Sequence, residues 1–444
     1  MYGGKGASRP VLGGERASGV VVGRVFPTQP PTTPMRITTV FNKLLSLQGA
    51  WVESVRFEKT AVFVTVRPRA PLHRCTFPGC TFCTSAGYDT SLRTWRAVSL
   101  GGWKVFIQAK SYRLKCPRHG VLHEQVAWAA PDSTFTYDFE EIVAWLAKET
   151  NFTAITQLMR ISWETVANIV ERVVGRKLDD SRLNSLYNLG IDEVSYRKGH
   201  KYLTVLANHD TGKVVELVEG RSAKSVDQIF DALGPERTAQ IKTVTMDMCE
   251  AFISTVRKRA PQAEIAFDPF HVVKLAGEAL QEVRRSEVRD LKGTPRAVFL
   301  KGTRWALLKA HENLSDQDRV RLAAVAQLNT GTYRAYLLKE ELRTLYSCTP
   351  RAAEKHLDAW CSWAARSRLE PFKRLAKTMR RHREGVLAAI RLGLANGLLE
   401  GINNKIKMLQ HRAFGFHSAQ ALIAMVHLVC GDIPTELPWL PISN

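Results

Sequence analysis

The stretch Asn188-Leu-Gly-Ile-Asp192-Glu-Val-Ser-Tyr196 limits most strongly what this chain can fold into. It reads as a buried strand that carries a carboxylate. A second apolar run, Ile241-Lys-Thr-Val-Thr-Met-Asp247, also ends in an acid. Burying a lone carboxylate is costly unless something pairs with it, so the two acids call for a shared partner. The pattern around them breaks into short elements. Strands are expected over 190–196, 201–208 and 214–219, with turns at Lys198-Gly-His200 and Asp210-Thr-Gly212. A helix over 222–233, a strand over 241–247, a helix over 250–259 and a strand over 263–268 follow. In a mixed sheet of this order the first and fourth strands lie side by side. Neighbouring strands are about 4.8 Å apart, which brings Asp192 and Asp247 together.

The order β-β-β-α-β-α-β is that of the RNase H-like fold. A third acid, Glu400, sits in Asn396-Gly-Leu-Leu-Glu400-Gly-Ile-Asn403-Asn-Lys-Ile-Lys407, which reads as a helix. Glu400, Asn403 and Lys407 share one face of it, at i, i+3 and i+7. Hard divalent cations take oxygen ligands, and three carboxylates from two strands and one helix supply them. Two metal ions roughly 3.5–4 Å apart support in-line phosphoryl displacement. The expected cofactor is therefore Mg²⁺, or Mn²⁺, two per active site. Without metal the three charges repel one another. Lys407 is placed to hold a DNA phosphate by charge. Asp268-Pro-Phe-His271 ends the last strand close by. His271 there either orients a phosphate or carboxylate or simply packs. No strand signal appears over 271–393, a helical and basic stretch (Arg284, Arg285, Arg304, Lys373, Arg380 and others). It reads as a helical insertion within a catalytic domain formed by 185–270 and 394–430. Inside it, Trp305 follows Arg304 among basic residues. It either stacks on an unpaired base or sits in the core.

The 444 residues carry a formal net charge of +21, which points to a polyanion, most simply nucleic acid. No run of eighteen apolar residues and no signal peptide is present, so a cytoplasmic protein without a membrane partner is expected. Four of the eight cysteines fall between Cys75 and Cys116. That is too sparse for a disulfide-stapled secreted domain; it is the local cluster of a zinc site. Arg74-Cys75-Thr-Phe-Pro-Gly-Cys80-Thr-Phe-Cys83 and Lys115-Cys116-Pro-Arg-His119-Gly-Val-Leu-His123 are two knuckles separated by a predicted hairpin, as in a zinc ribbon. A structural zinc takes four ligands. Cys116 and His119 supply two; Cys75 and Cys80 are the preferred other pair, with Cys83 as substitute and His123 a weaker one. The bland alternative is a set of buried free cysteines beside a surface histidine. Residues 1–34, rich in glycine and ending in a Pro/Thr run, read as a disordered extension. Residues 35–132 form the zinc-binding domain. Residues 133–184 read as three helices in a helix-turn-helix, with Ser162 capping the last. The start of such a helix faces base edges, which nominates Trp163, Thr165 and Asn168; a plain structural bundle is the alternative.

Four motifs together resemble a known family. Gly190-Ile-Asp-Glu-Val-Ser-Tyr-Arg-Lys-Gly-His-Lys-Tyr202, Met246-Asp-Met248, Asp268-Pro-Phe-His-Val-Val-Lys274 and Leu399-Glu-Gly-Ile-Asn-Asn-Lys-Ile-Lys407 resemble the DDE transposases of the ISL-three family of bacterial insertion sequences. The resemblance spans roughly 35–416. It implies an α+β multidomain protein with a zinc-ribbon-like N-terminal β domain, a helix-turn-helix, and an RNase H-like catalytic domain interrupted by an all-helical insertion. It maps the catalytic acids onto Asp192, Asp247 and Glu400. The implied activity is binding of the element's terminal inverted repeats, followed by metal-dependent cleavage and strand transfer into target DNA. A homodimer is expected, because two ends must be brought together. The family's first cysteine pair is usually closer than Cys75 and Cys80. Two other readings stay open at this point: a domesticated, non-catalytic zinc and helix-turn-helix DNA-binding protein, and a nuclease that cuts without joining.

Overall fold

The computed structural model describes residues 35–69, 72–197, 199–328, 330–393 and 397–439; the expected extension, 1–34, lies outside them. The chain divides into two units between Thr134 and Phe135.

In the first unit, period-2 alternation makes the sheet. Helix α1 (Ile37–Leu45) leads into the antiparallel hairpin of β1 (Ala50–Phe57) and β2 (Ala61–Pro68). Short β3 (His73–Arg74) and β4 (Cys83–Thr84) pair with each other. Long β5 (Asp89–Leu100) and β6 (Trp103–Cys116) form a second hairpin, and β7 (Gly120–His123) adds to β6. The sheet runs β1-β2-β6-β5, with β2 parallel to β6. The inward residues Val62, Val64, Val66, Trp95, Val105 and Ile107 form its core.

The second unit begins with α2 (Tyr137–Glu149), α3 (Phe152–Met159) and α4 (Trp163–Lys177). Each start is capped: the side chains of Thr136, Asn151 and Ser162 accept from backbone N–H groups of the first turn. Arg160 closes α3 in the left-handed region, φ 54°. Buried Glu140 on α2 is held by Arg172 (2.8 Å) and Arg176 (2.9 Å) of α4, which fixes the angle between the two helices. These helices do not stand apart. Ile169, Val170 and Val173 share one core with the sheet that follows and with the last two helices.

That sheet has β8 (Asn188–Arg197), β9 (Lys201–Asn208), β10 (Lys213–Glu219), β11 (Thr243–Met246) and β12 (Glu264–Phe267), in the order β10-β9-β8-β11-β12. The first three are antiparallel; β11 runs parallel to both β8 and β12. Helix α5 (Ala223–Leu233), the single turn α6 (Pro235–Thr238) and α7 (Glu250–Arg259) connect them. Leu189, Ile191, Val244 and Met246 face a core completed by α5, α7 and the long α8 (Pro269–Asp290). The region after α8 is helical, as expected: α9 (Pro295–Gly302), α10 (Arg304–Leu308), α11 (Asp316–Gln327), α12 (Gly331–Thr344), α13 (Pro350–Arg366) and α14 (Glu370–Arg381). Helix α15 (Arg383–Leu392) returns to the sheet. A Cβ on Gly385 would lie 2.3 Å from the Phe267 ring of β12, so only glycine allows this approach. The other sheet face, with Val194, Leu203, Val205 and Ala207, is covered by α4, α16 (Gly397–Arg412) and α17 (Ala419–Cys430). No single described helix is long and apolar enough to cross a membrane.

Gly190 sets how closely α16 lies on β8. A Cβ there would meet Leu399 Cδ1 at 2.7 Å, His209 Nε2 at 2.9 Å and Thr245 Oγ1 at 3.0 Å. Gly190→Val forces Leu399 outward, an overpacking cost of about 1–3 kcal/mol. The expected result is a Tm lower by roughly a few degrees. A melting curve that matches the parent would show that α16 does not depend on this contact.

Candidate active site and nucleic-acid interface

The parallel register of β8 and β11 pairs Leu189 with Val244 and Gly190 with Thr245. Asp192 and Asp247 each lie two residues further on. They therefore sit level, at neighbouring strand ends, on the face covered by α16. Helix α16 crosses that face, and Asn403 Nδ2 donates to Asp192 Oδ2 at 2.6 Å. The other oxygen of Asp192 accepts from Glu193 N–H at 2.8 Å. Asp247 Oδ1 accepts from Cys249 N–H at 3.0 Å, a turn that leads into α7. Glu400, Asn403, Asn404 and Lys407 line the opposite wall of a cleft of about 400 Å³ whose floor holds Asp192 and Glu193. Asp268 caps α8 through Phe270 N–H (2.9 Å), and His271 Nε2 stands 3.5 Å from Asp268 Oδ2, at the cleft edge.

Burial pushes the Asp192 carboxyl above the ordinary carboxylate range, and the nearby Asp247 adds to this; its two hydrogen bonds and His271 work against it. Glu193 is raised for the same two reasons, burial first and then Asp247. Among the described residues none of Asp192, Asp247 and Glu400 forms an ion pair. The site is thus a set of under-compensated oxygen donors. The three acids are not drawn into one tight shell: the donor group whose atoms all lie within 4.8 Å of one another is elsewhere. Of the polar residues that line the cleft, sequence reasoning missed Glu193 and Asn404, while the predicted Asp247 is not among the lining residues. It placed Asn403 on the right face but not in contact with Asp192, a pairing across 211 positions that no local pattern announces.

The tight group is Cys75, Cys80, Cys116 and His119. Nδ1 of His119 is 3.6 Å from Cys75 Sγ and 3.4 Å from Cys116 Sγ, and Cys80 Sγ is 3.9 Å from Cys116 Sγ. A tetrahedral zinc with its usual bond lengths has edges of about 3.6–3.8 Å, so these donors fit one. Cys83 is exposed on β4 and outside the group, as is His123. The Phe77 ring stacks on His119 at 4.0 Å and orients it.

At the start of α4, Ser162 Oγ accepts from Thr165 N–H at 3.1 Å, and Asn168 is exposed one turn on. Trp163, expected among the base readers, is half-buried and its ring also packs. Its ring lies against Phe152 (5.0 Å), Phe416 (5.9 Å) and His417 (4.7 Å).

A family model described as "Transposase" matches residues 189–426, more than half of the chain. A second, "Helix-turn-helix domain of transposase family ISL3", matches 124–174. The transposase for insertion sequence element IS1557 of Mycobacterium tuberculosis is 39% identical over 437 residues, covering 90% of this chain and 97% of that protein. The transposase for insertion sequence element IS1001 of Bordetella parapertussis is 28% identical over 389 residues, 85% of this chain and 95% of that protein. The chain belongs to the ISL3 family of transposases. Membership favours a DNA-binding transposase over the non-catalytic binding protein. In this ISL3 transposase Trp305 is 66% exposed, so the core reading of it is overturned. Arg304 lies over its ring at 4.8 Å, which leaves both side chains at the surface of the helical region.

Proposed function

We propose that the chain binds the terminal inverted repeats of its insertion sequence and catalyses metal-dependent cleavage and strand transfer. The observation that carries this is the level placement of Asp192 and Asp247 with α16 across them. The sheet order β10-β9-β8-β11-β12 supports an RNase H-like catalytic domain, with the region from α8 to α14 inserted before Glu400. Asp192, Asp247 and Glu400 are the residues that would hold Mg²⁺ or Mn²⁺, two per site. Their oxygen donors, free of ion pairs among the described residues, suit hard cations. Bound there, such ions supply the Lewis acidity that phosphoryl displacement needs.

The chain's own groups do the rest. Asn403 fixes the rotamer of Asp192, and Asp268 fixes His271 at the cleft edge, where it orients a phosphate. Lys407 holds a neighbouring phosphate by charge. Water attacking the scissile phosphodiester releases a 3′-OH. That hydroxyl then attacks a target phosphodiester in the same cleft, forming one phosphodiester and breaking another. Cys75, Cys80, Cys116 and His119 hold a structural zinc. Arg304 and Trp305 contact the DNA from the helical region. Two copies act as a homodimer on two ends, in the cytoplasm on nucleoid DNA.

Thr165 and Asn168 read base edges from α4. A good side-chain-to-base pairing is worth about 1–3 kcal/mol. Asn168→Ala is therefore expected to weaken binding to the inverted repeat by about tenfold or more and to leave binding to unrelated duplex unchanged. The check is titration of fluorescent repeat and scrambled duplexes. Equal loss on both would remove α4 from sequence reading, and no preference by the parent would remove the inverted repeats as its ligand.

A further inference from the structure

We infer that a second pocket, beside the acid cleft, holds backbone phosphate of the strand being cut. The inference deepens the DNA-cleavage reading and rests on it. The pocket has a volume of about 590 Å³ and lies between α8 and α10. Phe270, 62% exposed, belongs to its wall and also to the wall of the acid cleft, so one ring borders both spaces.

The lining is cationic. Lys274, Arg284, Arg285 and Arg304 all reach it, against the single carboxylate of Glu278 in its wall. Lys339 and Arg343, also in the wall, are already paired: Lys339 with Glu340 at 2.6 Å, Arg343 with Glu312 at 2.5 Å and Glu340 at 2.7 Å. Among the described residues none of Lys274, Arg284, Arg285 and Arg304 forms an ion pair. Arg284 is 7% exposed and held in place. Its Nε donates to Gln281 Oε1 at 2.9 Å, and Nη1 donates to the carbonyl oxygens of Leu300 (3.3 Å) and Lys301 (3.4 Å). The same Gln281 has a buried Nε2 with no acceptor.

Three guanidinium groups kept close together, one of them buried, repel one another. Burial and the two neighbouring arginines push Arg284 below its usual range. Among the described residues none of these cations has an ion-pair partner, so the pocket suits an anion from outside. Guanidinium forks match phosphate oxygens in pairs, and an orphaned amide donor suits the same ligand. The rest of the lining, Phe270, Val273 and Leu308, is apolar, which suits sugar and base faces rather than a small free anion. A strand with its scissile phosphate at the acids would pass over Phe270 and set a phosphate one or two positions away among the arginines.

The test is a methylphosphonate scan. Single phosphates near the cut are neutralised in turn in a labelled inverted-repeat duplex, and affinity is measured for the parent and for an Arg285→Ala/Arg304→Ala variant. Both residues are exposed, and a melting curve checks that the variant is folded; Lys274→Ala serves as an independent second variant. The parent is expected to lose about tenfold in affinity, the worth of one charge-assisted hydrogen bond, at one or two adjacent phosphates beside the cut. The variant is expected to bind unmodified duplex more weakly and to show no further loss there. A variant that keeps the full loss at the same phosphates, or a flat scan beside the cut in the parent, overturns the proposal while end binding stands. A parent that binds the repeat no better than unrelated duplex overturns the end-binding reading as well.

Discussion

Asp247→Asn is expected to leave DNA-end binding intact and to lower strand cleavage by about 10³-fold or more. The substitution keeps the size and the hydrogen bond to Cys249 N–H, because the amide oxygen still accepts it. What it removes is a charge beside Asp192. Metal-assisted stabilisation of a phosphoryl transition state is worth several kcal/mol, and each 1.4 kcal/mol or so is about tenfold in rate. Asp192→Asn and Glu400→Gln should cost as much. Asn403→Ala should cost less, since it frees the Asp192 rotamer without removing a donor. Gel-resolved cleavage of labelled ends, run beside a binding titration, separates these outcomes. Retained cleavage in Asp247→Asn would mean that the level acids serve only the fold.

Cys116→Ser is expected to disorder the knuckles of the first unit and to abolish its zinc, whereas Cys83→Ser changes neither. Cys116 is buried with Cys75 and Leu114 in a small cluster separate from the main core of that unit. Structural zinc contributes about 10–16 kcal/mol in small zinc modules, far more than so small an apolar cluster can supply. Loss of the ion should therefore free 73–84 and 116–123 while the sheet around Trp95 and Ile107 persists. Elemental analysis should find about one zinc per chain in the parent and in Cys83→Ser, and proteolysis should cut Cys116→Ser within the knuckles. Full zinc content in Cys116→Ser would contradict the ligand set.

Much of the fold was legible because its signals are local. Alternation marks the hairpins of both sheets, and Ser162 marks a helix start through a contact three residues long. The pairing of β8 with β11 follows from element order and from acids that end apolar runs. What was not legible depends on partners distant in sequence. Trp163 reads as an exposed first-turn residue until Phe416 packs against it. Trp305 among basic residues reads either as core or as a base-stacking ring, and only its exposure in the fold separates the two. Three cysteines at similar spacing leave the zinc ligands open; only the turn that brings Cys80 beside Cys116 separates Cys80 from Cys83. Nor does any local pattern show that the three helices from Tyr137 to Lys177 share a core with the sheet, since that core is built with residues after Leu399.

The most direct test is cleavage and joining of labelled ends by the parent and by Asp247→Cys, each in Mg²⁺ and in Mn²⁺. A thiolate suits Mg²⁺ poorly and tolerates Mn²⁺ better. If Asp247 holds the metal, the parent works with both ions, while Asp247→Cys is inactive in Mg²⁺ and recovers part of its activity in Mn²⁺. If Asp247→Cys cuts and joins in Mg²⁺ as well as the parent does, the acids are not the metal site.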